Sequence, residues 1–333
     1  MEARTAIAAL GLAAALAAGA ALAEAALEPL PASAATFTPQ YPLWSDGATK
    51  RRWISLPEGA AIDGSRPAAW EFPVGTKLRK EFSVGARRVE TRTIEHLADG
   101  SWQFRAYVWN DAQDAATLAP AAGTIVTLAD GTRYRIPSQD DCRACHEGGA
   151  APVLGFNALQ LSPDRDPLAP HAEPPRPGDL DLRALAASGK LAAFPRELIE
   201  TPPRIVAPTP AGRAALGYLH ANCGHCHADP KFTNGAVPVE LQLAIDPTDP
   251  RSAEGVLQTL LTSESRYRPA GAADARLIVP GNAQAGTLPA RMRSRDPRIQ
   301  MPPLGTAKPD LTAIALIARW IHEDLKTPEE TSP

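Results

Sequence analysis

Residues 87–110, with the sequence RRVETRTIEHLADGSWQFRAYVWN, decide how the first half of the chain folds. Two strand-like runs flank the tripeptide Ala-Asp-Gly at positions 98–100, and an Asp-Gly pair between such runs favours a hairpin turn. In the second run every other residue from Trp102 to Val108 is apolar, as in a strand with one buried face. The stretch therefore predicts a β-hairpin that packs one face against a core.

Further strand-like segments lie on both sides of this hairpin. They are rich in β-branched and aromatic residues, and they are KRRWISLP at 50–57, GTKLRKEFSV at 75–84, TIVTLAD at 124–130 and TRYRIP at 132–137. The last two surround Asp130-Gly131 and predict a second hairpin. Together these segments predict a β-sandwich or small barrel between Tyr41 and Pro137.

The second half of the chain has a different character. Residues 161–210 are rich in Pro and charge, and they predict a surface linker with a short helix around 180–191. Three helix candidates follow, and these are AGRAALGYLHANC at 211–223, NAQAGTLPARMRS at 282–294 and PDLTAIALIARWIHEDL at 309–325. In the third, Asp310 is the expected N-cap, and the apolar stripe consists of Ile314, Ile317, Ile321 and Leu325. We therefore expect an α+β fold, with a β-rich domain at 24–160, a linker at 161–210 and an all-α domain at 211–327.

Composition and charge argue against several classes of protein. The 333 residues carry a formal net charge of -3 and no run of Lys or Arg, which argues against nucleic-acid binding. Pro is abundant, at 34 residues, and aromatic residues make up only 5% of the chain. This is typical of a folded, loop-rich protein rather than a coiled coil or a solenoid.

The first 23 residues have the pattern of a secretory signal peptide. Residues 6–23 are uncharged, and Ala21-Leu22-Ala23 fits the small-x-small rule for cleavage. An uncleaved membrane anchor is the alternative, since the stretch is near the length that spans a bilayer. No later segment is apolar enough to span one, so we expect a periplasmic or otherwise extracytoplasmic protein in an oxidising compartment.

All four cysteines of the chain fall in two Cys-x-x-Cys-His motifs. The first motif lies in DDCRACHEGG at 140–149 and the second in ANCGHCHADP at 221–230, and their residues are Cys142, Cys145 and His146, then Cys223, Cys226 and His227. Disulfides or thioredoxin-like chemistry would not require a histidine after each pair. A shared zinc site would have to join segments of different predicted class. The motifs instead indicate covalent attachment of two haem c groups.

The spacing of each motif suits this chemistry. Two thiols three positions apart can both add to the haem vinyl groups as thioethers, and the next residue then lies under the iron. His146 and His227 are therefore the expected proximal ligands of the iron. His225, inside the second motif, is expected to be incidental.

A low-spin haem also needs a sixth ligand, and RDPRIQMPPLG at 295–305 offers Met301 to the second haem. Pro302 and Pro303 fix the backbone after it, as a loop that holds a weak thioether ligand requires. Met292 is the competing sulfur, but its helical spacing from Leu288 favours core packing.

No Met-Pro loop follows the first motif before the Pro-rich segment. The candidates for the sixth ligand of the first haem are His96, His171, His220 and Met292. An open or water-bound iron is the alternative.

The order of these features resembles a known family. From Ala211 to Leu325 the chain runs helix, CGHCH, long loop, MPP and a helix ending IARWI, which resembles the monohaem cytochrome c domain. The upstream block, from YPLWSDGATKRRWISLP at 41–57 to CRACHEGGAAPVLGFNALQL at 142–161, is similar to bacterial cytochrome-c-like proteins that pair a β-rich segment with a Cys-x-x-Cys-His motif. The resemblance implies that residues 211–327 form a cytochrome c-like domain, with His227 proximal and Met301 distal.

These features predict a periplasmic dihaem c-type cytochrome that passes electrons from a dehydrogenase or quinol-linked donor to an oxidase or another cytochrome. The alternatives are a dihaem peroxidase-like enzyme with a five-coordinate first haem, and a module whose β-rich block docks a dehydrogenase. No catalytic triad, phosphate loop or nucleotide fingerprint is evident, which favours an electron carrier over an enzyme. We expect redox proteins as partners, no nucleic acid, and no membrane span after signal cleavage.

Overall fold

The computed structural model describes residues 26–149, 151–228, 241–268 and 275–325. Its largest element is an antiparallel sheet of six strands in the order β1-β2-β4-β5-β6-β7. The strands are β1 (Ala35–Thr36), β2 (Thr49–Ser55), β4 (Lys77–Val84), β5 (Arg87–His96), β6 (Trp102–Trp109) and β7 (Ala116–Leu118). Two small sheets accompany it, and they are the parallel pair β3 (Ile62–Asp63) and β10 (Leu191–Ala192), and the antiparallel pair β8 (Thr124–Thr127) and β9 (Arg133–Ile136).

Both predicted hairpins are confirmed. Strands β5 and β6 pair antiparallel up to His96 opposite Trp102, and Gly100 in the turn has a φ of 82°, a conformation that glycine adopts without strain. On the predicted face of β6, Phe104 and Ala106 are buried and Trp102 and Val108 are half-buried, but Tyr107 on the opposite face is buried as well. Strands β8 and β9 form the second hairpin around residues 130–131.

Seven short helices complete the described part of the chain. They are α1 (Gln139–His146), α2 (Leu182–Ala187), α3 (Glu197–Glu200), α4 (Pro210–Asn222), α5 (Ser252–Thr262), α6 (Thr287–Arg293) and α7 (Leu311–Glu323). The side chain of Thr209 caps α4 by accepting from the backbone N–H of Gly212. Asp310 caps α7 by accepting from Ala313, so the predicted N-cap is confirmed.

The expectation of an α+β chain that ends in an all-α, cytochrome c-like domain is wrong. The structure is built on one six-stranded antiparallel sheet, and only 22% of it is helical, in seven short helices. That sheet is open and ends at β1 and β7, so a closed barrel is not formed either. A separate all-α domain is not formed, because the later helices share their core with earlier parts of the chain. Tyr41, Leu159 and Ala169 pack in the same core cluster as these helices.

The Pro-rich residues 161–210 contribute to the core as well. They contain α2, β10 and α3, and their Leu182 and Leu185 pack in a second core cluster beside Trp70 and Phe156. Apolar residues between the prolines thus anchor the segment along the sheet.

No helix in the described ranges is long and apolar enough to cross a membrane. The predicted signal peptide, residues 1–23, lies outside the described residues.

Candidate cofactor-binding site

The first motif lies on α1, directly after β9. Ser138 starts the helix with a capping box, in which its hydroxyl accepts from the N–H of Asp141 and the Asp141 carboxylate accepts from the N–H of Ser138, both at 3.0 Å. Because residues three and four apart share one face of a helix, Cys142, Cys145 and His146 project to the same side.

The second motif forms a tight turn at the end of α4. The backbone N–H groups of Cys226 and His227 donate to the carbonyl of Cys223 at 3.0 and 2.8 Å. Gly224 is required here, because a Cβ at this position would lie 2.5 Å from the carbonyl oxygen of His220. The two thiols and the following imidazole are thus held on one short loop.

The two motifs, distant in sequence, meet at one cavity. Its empty volume is about 1860 Å³, a figure that includes open solvent at its mouth. It is lined by both Cys-x-x-Cys-His motifs and by Met301. The Sγ atom of Cys226 lies 3.8 Å from the carbonyl oxygen of Ala144, so the motifs are in contact.

His146 has the environment of a metal ligand. Its Nδ1 is 2.6 Å from the carbonyl oxygen of Pro152, and the ring of Phe104 packs beside it with 5.1 Å between ring centres. Burial lowers its pKa to about 3, so the imidazole is neutral at pH 7. A hydrogen bond from Nδ1 to a carbonyl fixes the tautomer that leaves Nε2 free for a metal.

His227 is also a neutral, buried imidazole. Burial lowers its pKa to about 4. Its Nδ1 is buried without a hydrogen bond of good geometry to any described residue, although the backbone of Leu241 lies close enough to raise the pKa slightly. A buried nitrogen without a hydrogen-bond partner is uncommon. It fits an imidazole ring that is held in place by a bond from its other nitrogen.

Met301 also lines the cavity. Its backbone N–H donates to the carbonyl of Arg291 on α6 at 3.0 Å. The side-chain amide of Gln300 donates to the carbonyls of Pro302 and Pro303 at 3.3 and 3.1 Å, which holds the turn after the methionine. Met292, the competing sulfur, is buried in the helical core and does not line the cavity.

The other three candidates for the sixth ligand of the first haem do not line this cavity either. His96 bonds the carbonyl of Phe72 at 2.9 Å and stacks on Trp102. His171 bonds Asp310 at 2.8 Å. His220 accepts from the N–H of Ile245 at 2.9 Å.

His225, expected to be incidental, forms the contact between the motifs. It lines the cavity and lies close enough to the thiol of Cys145 to influence the pKa of that thiol. A Cβ added at Gly148 would lie 3.3 Å from its carbonyl oxygen, so the loop after α1 packs closely against it. The sequence carried no sign of this role, because only the packing of the two motifs creates it.

The four cysteines are all free. A hydrogen bond with Cys226 and burial raise the pKa of Cys145, and the same hydrogen bond lowers the pKa of Cys226. Burial raises the pKa of Cys223 to about 12. Within the described ranges, no three His, Cys, Asp or Glu side chains are grouped to hold a metal ion. Haem attachment does not need such a group, since the porphyrin supplies four ligands.

The segment from Tyr41 to Asp46 braces the second motif and the Met301 loop, which the sequence did not predict. The N–H of Trp44 donates to the side chain of Asn222 at 2.7 Å, one residue before Cys223. The Asp46 carboxylate accepts from the N–H of Lys308 at 2.9 Å. The first half of the chain therefore helps to fix the position of the second motif and of the Met301 loop.

No protein-family model, curated protein or solved structure matches the chain. The argument for function therefore starts from the two motifs and the cavity that they line.

Proposed function

We propose that this chain is a dihaem c-type protein that transfers electrons. One haem is bonded to Cys142 and Cys145, and the other to Cys223 and Cys226. The observation that supports this most is the meeting of two Cys-x-x-Cys-His motifs at one cavity, which Met301 also lines. The haems supply one-electron chemistry, and the chain positions them, excludes water and offers a docking surface.

The state of the histidines supports haem over disulfides. A disulfide gives no reason for a buried neutral imidazole after each cysteine pair. His146, with Nδ1 bonded to the carbonyl of Pro152, has the orientation that iron ligation requires. His227 is the second proximal ligand, and Met301, held on its Pro-Pro turn, is the sixth ligand of the second haem.

Contact between the motifs supports transfer between the two haems. Cys145 and Cys226 are within hydrogen-bonding reach, so groups bonded to them are close neighbours. Electrons then move through the chain from a donor to an acceptor, both redox proteins in the extracytoplasmic space. Residues 1–23 provide the export signal in this proposal.

The test is the number of haems in each motif variant. After expression with the c-haem maturation system, intact mass and pyridine haemochrome absorbance should give two haems in the wild type. The paired variants Cys142→Ala/Cys145→Ala and Cys223→Ala/Cys226→Ala should each retain one. A wild type without haem would overturn the proposal, and a single haem would restrict it to one motif.

A dihaem peroxidase-like enzyme is the second candidate. It is favoured by the positions of His96, His171, His220 and Met292, none of which lines the cavity. The first iron would then keep an open position, and ferrous protein should bind carbon monoxide at about one site per chain. Binding together with peroxide turnover supports the enzyme, whereas a protein that binds no carbon monoxide rules it out.

A further inference from the structure

A row of three cations crosses the central sheet. In the antiparallel register, Arg52 on β2 is opposite Lys80 on β4, and Lys80 is opposite Arg92 on β5. Directly opposite side chains on one face lie about 5 Å apart at Cβ, and like charges in such positions repel one another. The row therefore destabilises the sheet unless an anion faces it.

On the same face, the row is flanked on one side by Lys50, Phe82 and Glu90 and on the other side by an apolar row. Two residues further along the same strands, the next row on this face consists of Ile54, Leu78 and Ile94. These side chains pack in the second core cluster. Arg52 itself is only 5% exposed. Charged side chains on such a face carry a desolvation cost that a counter-charge has to offset.

Only one cation of the row has a direct ion partner. Arg92 pairs with Glu90, which is fully buried and also accepts from the hydroxyl of Tyr134 at 2.8 Å. Lys80 and Arg52 form no ion pair or side-chain hydrogen bond with any residue of the described ranges. Burial lowers the pKa of Lys80 well below its ordinary value, and the charge of Arg52 lowers it further.

All three cations line the cavity that holds both motifs. Helix α1, with the first motif, packs against β6, the strand beside Arg92. From β5 through β4 to β2, the row leads away from α1.

We propose that the row of Arg52, Lys80 and Arg92 binds the propionate carboxylates of the haem bonded to the first motif. Haem carries its two propionates on the edge opposite the vinyl groups. With Cys142 and Cys145 holding the vinyl edge at α1, the propionates would face away from α1, which is the direction in which the row extends. Arg and Lys bind carboxylates through short, charge-assisted hydrogen bonds. This inference rests on the proposed attachment of haem at Cys142 and Cys145.

The test is the reduction potential of each haem in the full-length haem-loaded protein. Lys80→Met and Arg52→Gln each remove one positive charge beside a buried haem. At an effective dielectric constant of about 20, the equilibrium constant for reduction of one haem should fall about tenfold, or ~59 mV for one electron. Lys80→Arg keeps the charge and should retain the wild-type potential.

Matched controls are available on the same strands. Lys77→Met and Arg51→Gln remove the same charges from exposed positions on the opposite face of β4 and β2. They should change the equilibrium constant for reduction of either haem by less than about twofold, because exposed charges are screened by solvent and salt. Spectroelectrochemical titration measures all five variants, and pyridine haemochrome absorbance verifies that each carries two haems.

The outcomes separate this inference from the proposed function. A wild type without haem overturns both. Two haems with potentials that stay unchanged in both Lys80→Met and Arg52→Gln overturn the propionate site alone. A wild-type potential that follows the concentration of added acetate would assign the row to a free carboxylate instead and would also overturn the propionate site.

Discussion

A single glycine allows the closest contact between the two halves of the chain. Gly217 lies on α4, and the ring of Tyr41 packs directly over it. The Tyr41 hydroxyl donates to the buried carboxylate of Asp166 at 3.1 Å, so the ring has little freedom to move. Residues at this contact carry much of the coupling between the sheet and the helices.

Gly217→Ala should therefore destabilise the protein. A Cβ at this position would overlap the Tyr41 ring, and overpacking of this kind typically costs about 1–3 kcal/mol. Gly255→Ala on α5 is the control, because nothing lies within 4 Å of its added Cβ. That change should stabilise the protein by up to about 1 kcal/mol through helix propensity. Urea unfolding measures both, and equal effects would contradict the close contact.

Met301→Ala should open the sixth position of the second haem. A thioether ligand favours ferrous iron, so its loss should lower the potential of that haem and remove the sulfur-to-iron charge-transfer band of the ferric protein. Stability should fall only modestly, because His227 and the thioethers remain. Met292→Leu, which changes only a buried packing side chain, should keep the band. The reverse pattern would assign the ligand to Met292.

Among the elements, α7 shows how a local signal and a distant contact combine. Asp310 caps the helix by accepting from the N–H of Ala313 at 3.0 Å, and the same oxygen lies 2.8 Å from Nε2 of His171. The buried stripe of Ile314, Ile317 and Ile321 then faces the core. One carboxylate thus starts the helix and ties it to the Pro-rich segment.

Asp310→Ala should cost about 1–2 kcal/mol of unfolding free energy, because it removes a cap and leaves a buried N–H without an acceptor. Asp310→Asn keeps an acceptor oxygen at the cap, so it should cost less. Thermal unfolding followed by far-UV circular dichroism compares the two. A larger loss in the Asn variant would show that the charge toward His171 matters more than the cap.

Elements whose signals are local could be predicted from the sequence. The hairpin at 87–110 and the cap of α7 depend on residues a few positions apart, and both are present. The cation row could not be predicted, since Arg52 and Lys80 meet only through the strand register. Alternation identifies a buried face, but it does not identify what covers that face.

For the whole molecule, the shared core implies cooperative unfolding. The cluster that holds α4 and α7 also contains Tyr41 and Leu159 from the first half of the chain. Urea unfolding followed by tryptophan fluorescence, which reports mainly on the first half, should coincide with helix loss in circular dichroism. An isolated fragment of residues 205–325 should show no cooperative transition. Two separated transitions would instead indicate an independent helical domain.

The same long-range packing explains which parts of the candidate site could be predicted from the sequence and which could not. Residue types and spacing were enough to single out both motifs and Met301, because each is a short local pattern. The meeting of the motifs, the place of His225 and the brace from Trp44 to Asn222 depend on contacts between distant segments. No periodicity or composition encodes those contacts.

The proximity of Cys145 and Cys226 sets an order of assembly. Two neighbouring thiols in an oxidising compartment readily become a disulfide. A chain that closes its cavity before maturation would lose one thiol from each motif in a single oxidation, and neither haem could then form both of its thioethers. In the proposed dihaem protein, attachment would therefore have to precede closure, because a chain that folds first would hold Cys145 and Cys226 close enough to oxidise each other.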